Sequence, residues 1–269
     1  MRFETALAAL VVIGAAAGGC GDYNGDVAGP EADGTGRLLA RAPSGDVRAS
    51  FQVVRGSGDI APVVAEFRGL LGDPANGATS GQQPAGRREI NWDGVPAAQT
   101  NVNTFPALFF NNRGANFGGP GTGFRNSDND FSDLNPAYAA QFEAFSKAKT
   151  FMPIGSPEME VLFTVAGSTT PAAVTGFGIV FSDVDRQGSA SIKLFDAAGR
   201  SLGLYHAPVR IDATGLSFVG VVFDAAVVAK VVITSGQAAI DAGLQDATDG
   251  GNRDLVVTDD FLYGEPQAL

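Results

Sequence analysis

The chain has 269 residues, with 29 Asp and Glu against 18 Lys and Arg, for a formal net charge of −11. Such acidity repels phosphate backbones and argues against a nucleic-acid partner. One cysteine rules out an intrachain disulfide, and one histidine, His206, rules out a histidine-rich zinc cluster.

At the start, Met1-Arg2-Phe3 is a short basic opening and Ala6 to Ala17 is an uncharged run. That run suits the apolar region of a signal peptide and is well short of the roughly 20 residues that span a bilayer. Its ending, Ala17-Gly18-Gly19-Cys20, resembles the lipobox of bacterial lipoproteins, with Ala17 where Leu is commoner. The resemblance implies cleavage after residue 19, acylation of Cys20 and anchoring of the mature chain to a membrane. Gly21 in place of Asp implies the outer membrane or cell surface. An ordinary secretory peptide and an uncleaved anchor are the alternatives. Removing residues 1–19 takes one Arg and one Glu, so the acidity is unchanged.

Residues 20–48 are rich in Gly, Ala, Asp and Pro and read as a flexible tether. One domain over 49–269 follows. Val63, Phe67 and Leu70 share a face of a helix from Ile60 to Leu71, with Asp59 as its cap and Gly72 as its stop. A second short helix is expected from Pro136 to Phe145. Strands are expected over 158–165, 174–184, 190–195, 201–205, 216–223, 227–234 and 254–263. The turn Asp196–Arg200 makes the third and fourth of these a hairpin. Short β-branched and aromatic segments without crossover helices predict an all-β fold with one or two short helices. The architecture expected is an antiparallel β-sandwich, jelly-roll-like.

The densest oxygen-ligand pattern is Asn126 to Asn135, where Asp128, Asp130, Asp133 and Asn135 supply three carboxylates and an amide. Calcium takes roughly six to eight such oxygens. The loop lacks the EF-hand glycine and closing Glu, and a solvated turn is the alternative. Asp183 and Asp185 flank Val184 at a strand end and point to one side. Asp259 and Asp260 are adjacent in the last strand and should face opposite ways. The inward one of that pair needs a metal, an arginine or backbone donors, with Arg88, Arg113 and Arg125 as candidate ion-pair partners. Trp92 beside Asp93 is a sugar-contact candidate, set against an ordinary core tryptophan. The glycines from Gly118 to Gly123 lack the Lys-Ser/Thr of a phosphate loop and read as a turn. No GxSxG elbow offers a nucleophile, so no catalytic residue is assigned.

The segments Gly86–Pro96 (containing NWDGVP), Gly119–Phe124, Phe131–Ser146 (containing FSDLNPAY), Pro153–Ser156, Gly176–Asp185 and Val256–Pro266 (containing DDFLYGEP) together resemble a family of secreted bacterial proteins of unassigned function. The closing strand also resembles that of jelly-roll domains among lectins and carbohydrate-binding modules. This second resemblance implies glycan binding with structural calcium. The reading that results is a non-catalytic, extracytoplasmic, lipid-anchored module for binding or adhesion to a glycan or envelope polymer. A polysaccharide hydrolase with paired carboxylates and a purely structural envelope protein are the alternatives.

Overall fold

A computed structural model describes residues 49–211 and 214–269; the expected leader, Cys20 and tether lie outside the described residues. The first elements are β1 (Phe51–Ser57), α1 (Ala61–Leu71), β2 (Arg87–Ile90), β3 (Ala115–Gly118), β4 (Gly123–Ser127), β5 (Thr150–Ile154) and β6 (Glu158–Phe163). After these come β7 (Ala172–Ala173), β8 (Gly176–Ser182), β9 (Ala190–Phe195), β10 (Ser201–His206) and β11 (Leu216–Phe223). The last are β12 (Lys230–Ser235), β13 (Val257–Gly264) and β14 (Gln267–Ala268).

Two antiparallel sheets face each other, as the alternating pattern implied. One has the order β1-β11-β8-β13-β5-β4, with β2 also on β13; the other has the order β10-β9-β12-β6-β3. The chain changes sheets repeatedly, between β2 and β3, β3 and β4, β5 and β6, β8 and β9, β10 and β11, β11 and β12, and β12 and β13. The inner side chains of both sheets, including Phe117, Phe151, Phe177, Ile192, Val231 and Phe261, form the main core.

The outer face of the larger sheet is also covered, which explains why β8 and β13 are buried along their whole lengths. On one half lies α1, whose Val64, Phe67 and Leu71 are buried. The expected face, Val63, Phe67 and Leu70, is rotated by one residue at its ends; Val63 and Leu70 are only partly covered. Phe67 sits on the paired glycines Gly178 and Gly220. A Cβ at either would lie 2.5 or 2.6 Å from its ring, so the helix docks where the sheet has no side chains.

On the other half lies the segment joining β4 to β5, whose Phe131, Tyr138 and Phe142 pack on Met152, Leu255 and Val257. The expected second helix is here only a 3-10 turn, Pro136–Ala140. Asn135 starts it by accepting a bond from the Ala137 N–H at 3.1 Å. The chain then straightens, since Phe142 and Phe145 serve different apolar clusters.

Trp92 is 1% exposed and stacks on Phe151 with ring centroids 3.8 Å apart and planes 9° from parallel. Phe105, Phe110 and Phe261 meet it edge-on. The tryptophan proposed as a sugar platform therefore offers no face to solvent. It is the centre of an aromatic core, because a large apolar ring gains more from burial than its single N–H loses.

Truncating Phe151 to Ala removes the stacking partner and leaves a cavity beneath Trp92. The expected cost is about 3–5 kcal/mol in chemical denaturation, without change in the far-ultraviolet β signal. A cost under about 1 kcal/mol would mean that this aromatic cluster is not the centre of the core.

Candidate metal centre

β8 ends at Ser182, and the next residues bring carboxylates together. Asp183 adopts φ +71°, a left-handed conformation that Asp tolerates better than most side chains. Val184 turns into the core, and Asp185 lies beside Asp183, although neither belongs to the strand. The third member, Asp246, comes from the loop between β12 and β13. Oxygen atoms of Asp183, Asp185 and Asp246 all lie within 4.8 Å of one another, the one such trio of acidic side chains among the described residues.

Local hydrogen bonds fix this geometry. Asp246 Oδ1 accepts the Leu255 N–H, and its Oδ2 accepts the Thr248 N–H and hydroxyl, all at 2.7 Å. Asp254 Oδ2 accepts the N–H groups of Asp185 (3.1 Å) and Arg186 (2.8 Å). Gln141, from the segment after β4, donates its Nε2 to Asp183 Oδ2 at 2.9 Å. Five buried acceptors have no partner: Asp183 Oδ1, both carboxylate oxygens of Asp185, Asp254 Oδ1 and Gln141 Oε1. The Arg186 guanidinium turns away, to the Gln237 side chain and the Asn252 carbonyl.

Burial and the neighbouring carboxylates push Asp183 up to about 8. Burial, then the Asp246 and Asp254 carboxylates, also raise Asp185. Burial raises Asp254 above its ordinary value, against the pull of its hydrogen-bond donors. Asp246 is held low by its donors. An anion-rich, all-oxygen pocket of this kind suits a hard divalent cation; calcium takes roughly six to eight oxygens.

A second acidic pair lies in β13. The register slips between Thr258 and Phe261, where β13 exchanges β5 for β2 as its neighbour. That bulge overturns the expected alternation and brings Asp259 and Asp260 to the same segment. Asp259 Oδ2 accepts the N–H groups of Phe145 (2.6 Å) and Ser146 (3.0 Å), and Asp260 Oδ1 accepts the Ser146 hydroxyl (2.6 Å). The nearest cation is Arg68, with Nη2 3.6 Å from Asp260 Oδ2. The arginines proposed as partners go elsewhere. Arg88 binds Glu265, Arg125 binds Asp133, and Arg113 donates to the Glu89 carbonyl. Burial raises both Asp259 and Asp260, and the Asp260 charge raises Asp259 further.

The loop first singled out does not gather its side chains. Asp128 accepts a bond from Asn101 Nδ2, Asp133 pairs with Arg125, and Asn135 caps its turn while donating to the Leu244 carbonyl. Asp130 is half-buried with φ +54°. Asp93 is half-buried in the turn after β2, its N–H bonded to the Asn91 carbonyl. Of the expected site residues, only Asp183 and Asp185 enter the trio. Asp246, Asp254 and Gln141 were missed, although the run Asp246–Asp254 is as dense in Asp, Gly and Asn as the loop that was chosen.

No protein-family model matches this chain, and no curated protein matches it in sequence. Among solved structures, the enzymatically active domain of bacteriophage CBA120 tailspike protein 4 aligns at 13% identity and a TM-score of 0.18. That alignment covers 52% of this chain and 21% of the tailspike domain, a likeness too slight to define a fold. Among the described residues no helix is long and apolar enough to cross a membrane.

Asp183 and Asp259 bind protons more tightly folded than unfolded, where a carboxyl titrates near 3.9. Their contribution to stability is full below pH ~4 and is lost as pH rises towards the folded values. In chelator, the melting temperature is expected to fall between pH 5 and pH 8. Asp259→Asn keeps an acceptor for both N–H groups and removes one titration. Its melting temperature relative to the parent is expected to rise over that interval, and a constant difference would contradict the buried pair.

Proposed function

We propose that this chain is a calcium-dependent, non-catalytic β-sandwich module that works outside the cytosol, held to a membrane through Cys20. Its role is binding or adhesion to a glycan or envelope polymer. The observation that carries the calcium dependence is the set of five unpartnered buried oxygens around Asp183, Asp185 and Asp246. Buried acceptors without donors are destabilising, and like charges so close repel. A bound divalent cation answers both problems at once, and oxygen ligands without sulfur or imidazole favour calcium over zinc.

The extracytoplasmic and anchored parts of the reading rest on the leader and lipobox resemblance. The glycan part rests on the likeness of the closing strand to lectin-type jelly rolls. Trp92 takes no part in it, being enclosed in the core. A hydrolase is the weaker reading, because its carboxylates would have to reach a polymer. Asp183 is 1% exposed and Asp259 0%, beneath the segments that cover the sheet.

Thermal melting of the full chain with calcium and with EDTA tests the proposal. Calcium at 100 times its dissociation constant adds about 2.7 kcal/mol, roughly 5–10 °C for a domain of this size. Magnesium at equal concentration is expected to add less, since it dehydrates reluctantly and demands a stricter octahedron. A melting temperature indifferent to both chelator and cation would overturn the reading.

A further inference from the structure

Residues 131–146 form a strap across the outer face of the larger sheet, and both acidic centres hold it. At one end Asn135 Nδ2 and the Tyr138 hydroxyl donate to the Leu244 carbonyl, at 2.9 and 3.0 Å. At the other, Asp259 takes the Phe145 and Ser146 N–H groups. Between them, Gln141 reaches across to Asp183.

Gln141 is 3% exposed, and its Oε1 has no hydrogen-bond partner. The packing uses only half of this amide: its Nε2 serves Asp183, while its Oε1 serves no donor. Its one bond, Nε2 to Asp183 Oδ2, places the amide against the carboxylate trio. A half-turn about the terminal bond exchanges nitrogen for oxygen and points Oε1 at a cation held there.

The same residue is tied to the rest of the fold through its backbone. The Gln141 carbonyl accepts the Thr214 N–H at 3.1 Å, and the Asp183 N–H donates to the Gly215 carbonyl at 2.8 Å. Thr214 and Gly215 help to line a cleft of about 330 Å³ between the strap and the start of α1. Glu143 and Phe145 of the strap form one wall, and Asp59 and Ile60 the other.

We infer that Gln141 is the neutral oxygen ligand of the cation, and that cation binding fastens the strap to the sandwich and fixes the Glu143–Phe145 wall of the cleft. This rests on the reading of the carboxylate cluster as a calcium site. The trio supplies charge from the sandwich side, and the amide supplies the link to the strap. Calcium occupancy therefore controls the shape of the cleft through one side chain.

The test is calcium titration by calorimetry on the full chain and on Gln141→Met, with hydrogen exchange read over residues 137–146. Methionine keeps the length and burial but loses the oxygen. The variant is expected to bind calcium about tenfold or more weakly, by analogy with the loss of groups that support metal ligands. In the parent, calcium should slow exchange of the strap amides; in the variant at equal occupancy it should not. Gln141→Glu, which adds a charged ligand, is expected to bind more tightly and covers the case in which the methionine variant fails to fold. If the parent binds calcium but neither variant alters affinity and strap exchange is indifferent to calcium, the inference fails alone. If the parent binds no calcium, the inference and the reading beneath it fail together.

Discussion

Negative charge buried without a positive partner is the constraint that organises this molecule. Elsewhere the chain shows how it neutralises a buried carboxylate: Glu265, 3% exposed, meets the Arg88 guanidinium through two bonds of 2.7 Å. At Asp259 and Asp260 it uses two backbone N–H groups, a hydroxyl and a distant arginine. At Asp183, Asp185 and Asp246 it supplies neither an arginine nor enough donors. Two carboxyls left in that condition, Asp183 and Asp185, hold protons more tightly than usual, and with Asp246 they are equally a ready ligand set for a hard cation.

The sandwich puts that trio where distant parts of the chain meet. β8 and β13 are central and buried on both faces, so their ends meet where three segments converge: the strand end at Asp183, the loop carrying Asp246, and the strap carrying Gln141. Each segment is fixed by its own local bonds before any cation is considered. Asp254 illustrates this, bracing the backbone at Asp185 and Arg186 while Gln237 braces Asp254. In the proposed reading a cation joins these three segments at one point.

The sequence made the β-sandwich legible because β6, β8, β9, β11 and β12 alternate or run apolar with turn residues between them. β1 to β5, β7 and β14 lie outside the expected strands, and β2, β3 and β4 show why. These three are four or five residues long and contain Arg, Asn and Gly, whose place in a strand is decided by tertiary partners rather than by pattern. Asp183 and Asp185 could be paired from spacing alone. Asp246 and Gln141 could not, because a three-dimensional convergence of distant loops leaves no periodic trace. In the Asp128–Asn135 loop the pattern is ambiguous for a related reason: Asp and Asn are favoured as calcium ligands and as caps, turns and ion-pair partners alike, and here Asn135 caps a turn, Asp133 pairs with Arg125 and Asp128 bonds Asn101. The β13 bulge was also invisible, since Asp259 and Asp260 read as ordinary alternation until the change of neighbouring strand is known.

Crystals grown in calcium and measured at a long wavelength, where the ion scatters anomalously, address the central claim most directly. The account predicts one anomalous peak bounded by Asp183, Asp185 and Asp246, with oxygens at about 2.3–2.6 Å and the Gln141 amide turned towards it. A cluster that stays empty in saturating calcium, its carboxylates bridged by short hydrogen bonds through shared protons, would contradict it.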